Sequence, residues 1–218
     1  MTCAHCAPAR RLALPSPRAG EGWLRFRKLA AAAMVFAGAA FAASALYHPA
    51  KARLGQHLLA EAWEAGEAKP WPWADFTAYA RIEAPGLGVE AIALSDASGA
   101  AMAWGPGHVA GTAAPGAPGL TAFAGHRDSH FAFLGRLKPG DEVTVETAAG
   151  ARAYRVTSGI VVDSRTWRLP TGGPERLALS TCWPLNAETP GPLRLVLFAE
   201  PADGALAFSP RSSLPQEG

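Results

Sequence analysis

The amino-acid sequence predicts a mainly β protein, a closed or nearly closed antiparallel barrel that follows an N-terminal apolar helix. Short alternating or β-branched runs, divided by glycine and proline, fill the chain from residue 80 onward at the spacing typical of barrels. None of the intervening segments is long and periodic enough to be a crossover helix, which argues against a Rossmann-like sheet. An uncharged run near the N-terminus predicts the helix.

Composition and charge limit the function classes. The chain has 218 residues, of which 49% are hydrophobic and 17% charged, enough for one domain with a core plus appendages. The formal charge of +2 is uneven, because residues 1–28 carry six Lys/Arg and one Glu, whereas the rest carries fourteen Lys/Arg and seventeen Asp/Glu. A mildly acidic main body lacks the basic face of a nucleic-acid-binding protein, so we expect no nucleic-acid partner.

The apolar run at residues 29–47 follows directly on Arg25, Arg27 and Lys28. At about 1.5 Å per residue it reaches roughly 28 Å, close to the hydrocarbon thickness of a bilayer. We therefore predict a transmembrane anchor, with residues 1–28 as a basic cytoplasmic leader and the main body outside the cytoplasm. The alternative is a cleaved signal peptide, because "ASA" at 43–45 fits signal peptidase, but the apolar run and the leader are longer than usual.

Residues 48–74 are expected to form a helical stalk and a linker. Apolar residues recur at helical spacing in "KARLGQHLLAEAWEAG", which predicts a short amphipathic helix through Leu54, Leu58, Leu59, Ala62 and Trp63. Pro70 and Pro72 end the helix and favour an extended linker. The tryptophans between and after these prolines, Trp71 and Trp73, lie either at the membrane interface or packed on the domain.

The barrel is expected over residues 75–202, and residues 203–218 are expected to be a flexible tail. The stretch 97–119 is rich in Gly, Ala and Pro and predicts mostly loop with one helical turn. The predicted strands are 80–84, 89–94, 119–126, 141–147, 152–163, 176–182 and 193–200.

Cysteine usage singles out one thiol. An exported domain commonly pairs its cysteines, yet no cysteine other than Cys182 follows Cys6. Cys182 ends the strand "RLALSTC" on the face of Ala178 and Ser180, and small neighbours leave room for a ligand. Packing is the alternative, because free cysteine is often buried. The pair Cys3 and Cys6 in "CAHC" is either a metal or redox pair or part of an unstructured leader.

Two further residues are candidates for chemistry beside Cys182. The loop "WPLNAETPGP" should reverse the chain and bring Arg194 near Cys182, although an arginine of an edge strand that points to solvent fits the same pattern. His126 follows an apolar strand in "TAFAGHRDSHF". A cysteine nucleophile needs a base, a histidine can return the proton to a leaving amine, and a guanidinium stabilises an oxyanion. These three residue types together favour acyl transfer through a thioester.

These motifs resemble those of the sortases, which are cysteine transpeptidases. The segment "LSTC" at 179–182 is similar to the family's Leu-x-Thr-Cys signature, "GHRDSHFAFLGRLKPGD" at 125–141 to its histidine motif, and "PLRLVLF" to the strand with its arginine. The resemblance covers roughly residues 75–200 and implies an eight-stranded closed β-barrel behind a transmembrane helix. The aromatic motifs "PWPW" and "CWPL" resemble the proteobacterial branch with a single target, which implies an inner-membrane protein with a periplasmic barrel. In a Gram-positive host the alternative is an outward-facing enzyme of the plasma membrane.

The resemblance also implies the reaction and its partners. Cys182 would attack an LPxTG-like C-terminal sorting signal of a target protein, and an amine acceptor on the cell envelope or another protein would resolve the thioester. His126 would be the general acid and base, and Arg194 would hold the substrate carbonyl or its oxyanion. The segment 158–175 would shape the substrate groove. It offers only Asp163 and Glu175 as acidic residues, so we expect no calcium, no other metal and no cofactor.

Two alternatives remain beside the sortase interpretation. An L,D-transpeptidase-like cysteine enzyme would place histidine and cysteine in one compact motif, whereas His126 and Cys182 are 56 residues apart. A non-catalytic, membrane-tethered binding or assembly module with the same barrel would be expected to lose at least one of Cys182, His126 and Arg194, and all three are present.

Overall fold

The computed structural model describes residues 18–66, 68–187, 189 and 191–202. The chain divides into two compact units, Met1–Ala50 and Lys51–Gly218, and helix α1 (Arg18–Glu64) contributes to both. Each part of the helix is therefore described within its own unit. Most of the predicted leader, with Cys3 and Cys6, and the whole predicted tail lie outside the described residues.

The part of α1 in the first unit contains a segment that could serve as a membrane anchor. Its Trp23–Ala43 segment spans 21 residues with a mean hydropathy of 1.4, which is long and apolar enough to cross a membrane. The predicted anchor at 29–47 overlaps this segment but begins later. The difference arises because Trp23, Leu24 and Phe26 add apolar surface ahead of residue 29.

The part of α1 in the second unit packs on the barrel through its last turns. Leu59, Ala62 and Trp63 are buried in a cluster that also contains Phe76 and Leu94, as the amphipathic pattern predicts. The first residue of that predicted face, Leu54, is instead 58% exposed. The helix therefore docks by its C-terminal turns, and its earlier turns leave apolar surface uncovered.

The eight strands close into a barrel with the order β1-β2-β3-β4-β7-β8-β6-β5, which confirms the predicted fold class. Short helices interrupt the connections: a 3-10 helix at Pro85–Leu87, helix α2 at Gly99–Met102 and a 3-10 helix at Ala132–Arg136. The strands are β1 (Ala78–Ala84), β2 (Val89–Leu94), β3 (Gly107–His108), β4 (Leu120–Gly125), β5 (Glu142–Thr147), β6 (Gly150–Asp163), β7 (Arg176–Cys182) and β8 (Leu193–Pro201).

The barrel departs from the predicted antiparallel arrangement at two places. Strands β2 and β3 pair in parallel, and so do β4 and β7. The second pair arises because β5 and β6 intervene in sequence and pair elsewhere, so the chain returns beside β4 in the same direction. Strand β3 itself lies in the stretch predicted as loop, where two residues are too few for an alternating pattern. The helical turn predicted in that stretch is confirmed as α2.

The barrel interior is filled by large apolar side chains. Strand β1 alternates between buried and half-buried positions along its whole length, which is the period-two pattern expected of a barrel wall. The 3-10 helix at Ala132–Arg136 closes the core by burying Phe133 and Leu134. The fully buried side chains of this core include Ile82, Phe123, Phe131, Val143, Tyr154, Leu177 and Leu179.

A polar network connects β6 with the loop that precedes β7. Arg152 donates to both carboxylate oxygens of Glu175, with distances of 2.9 and 2.8 Å. The Tyr154 hydroxyl donates to Glu175 Oε1 at 2.9 Å and accepts from the Gly116 N–H at 3.2 Å. Burial, and then the neighbouring Glu175 carboxylate, raises the pKa of Tyr154, so this hydroxyl stays protonated and remains a donor. The network therefore joins three separate segments of the chain.

Replacing Glu175 with alanine is expected to lower the free energy of unfolding by about 1–3 kcal/mol, because two largely buried donors lose their acceptor. Urea unfolding followed by near-UV circular dichroism measures the change. The matched control is Glu142→Ala, which removes an exposed ion pair with Arg155 at 4.0 Å and should cost less than about 1 kcal/mol. Equal costs for the two variants would contradict the network's role.

Candidate active site

The ends of β4 and β7 place His126 beside Cys182. The two strands are paired in parallel from Leu120 with Arg176 through Gly125 with Thr181. Cys182 is the next and last residue of β7, and His126 directly follows Gly125, the last residue of β4. Neighbouring strands lie about 4.8 Å apart. The barrel thus brings together two candidate residues that are distant in sequence.

Arg194 lies on the other side of Cys182. Strands β7 and β8 are antiparallel, and their last pair is Cys182 with Arg194. Strand β8 also pairs with β6, where Val162 is opposite Arg194. The edge-strand alternative for Arg194 is therefore wrong, because β8 is an internal strand of the wall. The guanidinium Nη1 donates to the backbone oxygens of Gly191 and Leu193 at 2.7 and 2.8 Å.

A groove runs along the outer side of the same strands, with a volume of about 380 Å³. Its floor contains Ala124, Ser180 and Val196, which are paired across β4, β7 and β8. Two positions further toward the barrel end, Cys182 on β7 pairs with Arg194 on β8, and His126 directly follows β4. We call these three residues the site row. Of these three residues, Arg194 lines the groove, and Cys182 lies two residues beyond the lining residue Ser180 on β7.

Small side chains on β7 leave this face accessible. Leu177 and Leu179 point into the barrel core, whereas Ser180 lines the groove. Cys182 has the same parity as Ser180 and is a half-buried free thiol. This face is therefore open at Ser180, whereas Ala178, the other small residue of the predicted row, is buried.

The loop after β6 forms the outer wall of the groove. Ser164, Trp167, Arg168 and Leu169 line it, so this wall is mostly apolar with one exposed cation. The segment predicted to shape the groove was 158–175, but its first six residues belong to β6, which continues to Asp163. The loop itself therefore begins at Ser164.

Both acidic residues of that predicted segment have arginine partners. Asp163 pairs with Arg165 at 2.5 Å, and hydrogen bonds from Arg165 lower the pKa of Asp163 to about 2. Glu175 pairs with Arg152, as described above. Within the part of the chain that the structure describes, no group of three or more His, Cys, Asp or Glu side chains could hold a metal ion.

Thr181 ties the two strand ends together. Its buried hydroxyl donates to the Gly125 carbonyl at 2.8 Å, one residue before both His126 and Cys182. A side chain at Gly125 would come within 2.9 Å of the Phe131 ring, so only glycine fits there. The "LSTC" motif contains Thr181, but nothing in the sequence identifies the carbonyl that it binds.

Arg127, which the sequence analysis did not single out, holds the loop between Cys182 and Arg194. Its guanidinium donates to the backbone oxygens of Pro184 at 3.1 Å and Thr189 at 3.0 Å, and to that of Ala187. A second contact lies nearby, because Gly135 lacks a side chain where Leu185 approaches. The connection after β4 therefore supports the loop that follows Cys182.

A second histidine lies close to His126. Burial lowers the pKa of the half-buried His130, the charge of His126 lowers it further, and Asp128 opposes both effects. The site therefore disfavours a state in which both rings are protonated.

Comparison with known proteins gives a consistent family. The model of the Sortase domain matches residues 82–202. Sortase D of Bacillus subtilis is 25% identical over 121 residues, which are 55% of this chain and 61% of that relative's length. Sortase A of Corynebacterium diphtheriae has a TM-score of 0.54 at 24% identity, covering 60% of this chain and 63% of that one. A Clostridium perfringens Sortase D5 transpeptidase has a TM-score of 0.50 at 22% identity, covering 57% and 78%.

Proposed function

The chain belongs to the sortase family, whose members are transpeptidases, and from this premise we propose that Cys182 is its nucleophile. The observation that supports this assignment most strongly is the site row, in which His126 and Arg194 flank Cys182 at the end of a groove. A thiol between a base and a cation suits covalent acyl transfer. In this proposal His126 transfers the protons and Arg194 stabilises the oxyanion.

In the proposed reaction the Cys182 Sγ attacks the carbonyl carbon of the scissile Thr–Gly bond, and the thiol proton passes to His126. Arg194 stabilises the oxyanion of the tetrahedral intermediate. His126 then protonates the departing glycine amine, the C–N bond breaks, and a thioester remains on Cys182. An amine acceptor then attacks the thioester and gives a proton to His126. The C–S bond breaks as the new amide forms, and His126 returns this proton to the Cys182 thiolate. No metal or cofactor takes part.

The groove favours an extended LPxTG-like sorting signal as substrate. Its walls are apolar at Val109, Val162, Trp167 and Leu169, which suits a leucine side chain. Its open end at Arg194 would place the scissile carbonyl beside the site row. The target is therefore a protein with such a signal at its C-terminus, and the acceptor is an amine of the cell envelope or of another protein.

We further propose that the enzyme is anchored in the inner membrane with its barrel in the periplasm. The apolar segment Trp23–Ala43 supports the anchor, and the basic residues that precede residue 29 support the orientation. Assignment to the proteobacterial branch rests on the "PWPW" and "CWPL" motifs.

Intact-protein mass spectrometry tests the function. The full chain in maltoside micelles is incubated with LPxTG-type peptides from candidate targets of the host, then with an amine acceptor. We expect an adduct on Cys182 with the mass of the acyl fragment, which disappears as the amide product forms. Absence of any adduct, together with a Cys182 that resists alkylation in the folded protein, would favour the non-catalytic module instead.

Replacing Thr181 with valine is expected to lower kcat about tenfold with little change in KM. The variant keeps the shape of the side chain but removes the hydrogen bond to Gly125, so His126 and Cys182 lose their fixed separation. Steady-state kinetics with a fluorogenic sorting peptide measures the effect. Thr181→Ser retains the hydroxyl and should recover most of the activity. A Thr181→Val enzyme with unchanged kcat would contradict this role.

Replacing Arg127 with methionine is expected to lower kcat/KM by about ten- to a hundredfold, because the loop after Cys182 loses three hydrogen bonds. Limited proteolysis should then cut this loop faster. Arg136→Met changes an exposed arginine of the same connection and serves as the control. Equal proteolysis and equal kinetics for the two variants would show that Arg127 does not position the loop.

A further inference from the structure

A second cavity of about 490 Å³ lies in the Lys51–Gly218 unit, apart from the groove. Helix α1, the segment before β1 and the connection between β2 and β3 form its walls. Its distinctive lining residues are four aromatic and two acidic side chains: Trp71, Trp73, Phe76, Trp104, Asp75 and Asp96. We call this cavity the aromatic pocket.

The rings of the aromatic pocket meet at steep angles. The centroids of Trp71 and Trp104 are 4.7 Å apart with an interplanar angle of 61°, and those of Trp71 and Phe76 are 5.7 Å apart with an angle of 81°. Trp73 is 80% exposed and stands at the rim. Ring faces carry negative electrostatic potential, so walls of this kind attract cations.

Two features of α1 hold Trp104 in place. A side chain at Gly55 would come within 2.4 Å of the Trp104 ring, so glycine is required for this close approach. The adjacent Gln56 donates from its amide to the Trp104 carbonyl oxygen. The position of this wall is therefore specified by particular residues of the helix.

The charged side chains that line the aromatic pocket are both acidic. Asp75 is exposed and Asp96 is half-buried, and none of the lining residues is Lys, Arg or His. Among the side chains that the structure describes, which exclude those of residues 18–22, 44–46 and 48–53, no cation forms an ion pair with either carboxylate. An anionic ligand would be repelled, and a small hydrated metal ion would make no use of the rings. Carboxylates beside ring faces complement an organic cation.

We propose that the aromatic pocket binds a substituted ammonium group on a short alkyl chain, of the choline type. The volume is within the usual range for small-ligand sites and exceeds that of the ammonium group alone, so part of the attached chain is accommodated. The exposed Leu54 at the pocket provides apolar surface for that chain. Such a cation comes either from a soluble amine or from a lipid headgroup. The second source is supported by sequence, because Leu54 follows the apolar segment Trp23–Ala43 by eleven residues.

The test measures binding of choline chloride to the full chain in maltoside micelles, through the change in tryptophan fluorescence. We expect a saturable change that sodium chloride at equal ionic strength does not produce. The uncharged isostere 3,3-dimethylbutan-1-ol should bind at least about tenfold more weakly, because it has the shape of choline without its charge. Equal binding of the isostere, or no saturable change with choline, would overturn the proposal.

Variants assign the binding to the aromatic pocket. Asp96→Asn and Trp73→Leu alter a half-buried and an exposed side chain, so the fold should persist, and each should weaken choline binding roughly tenfold. Glu90→Gln removes an exposed carboxylate of β2 and should leave binding unchanged. Equal choline affinity in all three variants would overturn the assignment to this pocket.

Titrations in nanodiscs of two lipid compositions identify the source of the cation. The full chain is placed in nanodiscs of phosphatidylcholine or of phosphatidylglycerol, and choline is titrated into each. If a headgroup occupies the pocket, soluble choline should bind more weakly in the phosphatidylcholine discs by about tenfold, and Asp96→Asn should abolish that difference. Equal choline affinity in the two discs would support a soluble amine as the ligand. Loss of saturable binding in both discs would overturn an ammonium site in the membrane-bound protein.

Discussion

Replacing Cys182 with alanine is expected to abolish both cleavage and transfer of a sorting peptide, with a loss of at least about a thousandfold in kcat/KM. The thioester cannot form without the thiol, and the remaining members of the site row have no other nucleophile between them. Chromatography of the cleaved and transferred peptides measures the loss. Cys182→Ser should also be nearly inactive, because a hydroxyl is a far weaker nucleophile than a thiolate.

The matched control is Ser180→Ala, two residues earlier on the same face of β7. Ser180 lines the groove, so its loss should change KM by only a few-fold and leave the chemical step intact. Residual activity of Cys182→Ala above about one per cent of wild type would exclude covalent catalysis through this residue.

Replacing Arg194 with methionine is expected to lower kcat by about a hundred- to a thousandfold, because the oxyanion loses its only proposed guanidinium partner. Arg194→Lys should recover little of the activity, since an ammonium cannot reproduce the planar fork of donors. Single-turnover kinetics separates formation of the acyl-enzyme from its resolution, and both steps should slow. Arg168→Met, which removes an exposed arginine at the loop side of the groove, should affect KM more than kcat.

A purely structural role for Arg194 would give a different experimental result. Its guanidinium already donates to the Gly191 and Leu193 carbonyls, so it could act only by fixing the start of β8. In that case Arg194→Met would lower the melting temperature while kcat stayed near the wild-type value. That result would contradict the proposed electrostatic role.

Most of the barrel could be predicted because its strands carry a local signal. Alternating apolar residues bounded by glycine and proline identify seven of the eight strands, and strand parity correctly grouped Ser180 with Cys182. Strand β3 has only two residues and therefore no period to detect. The parallel pairing of β4 with β7 depends on where the intervening strands pair, which local patterns do not encode.

The residues of the candidate site likewise fall into two groups, those that the sequence predicted and those that it did not. Cys182, His126 and Arg194 were proposed from residue type and from family motifs. The barrel register pairs Cys182 with Arg194 and places His126 directly after the residue of β4 that pairs with Thr181. The roles of Arg127 and Thr181 in holding that row were not found, because their partners are backbone carbonyls far away in sequence. A carbonyl is common to every residue, so its use as an acceptor leaves no mark on sequence composition.

The same fact has an evolutionary consequence for the loop after Cys182. Because Arg127 holds main-chain oxygens, side chains such as those of Ala187 and Thr189 can be exchanged without loss of these anchoring bonds. The length of the loop is constrained, but its surface chemistry is free to vary. Arg127 lies outside this loop and binds only its main chain. Loop residues next to the proposed nucleophile can therefore vary, in evolution or by design, while the position of Cys182 is maintained.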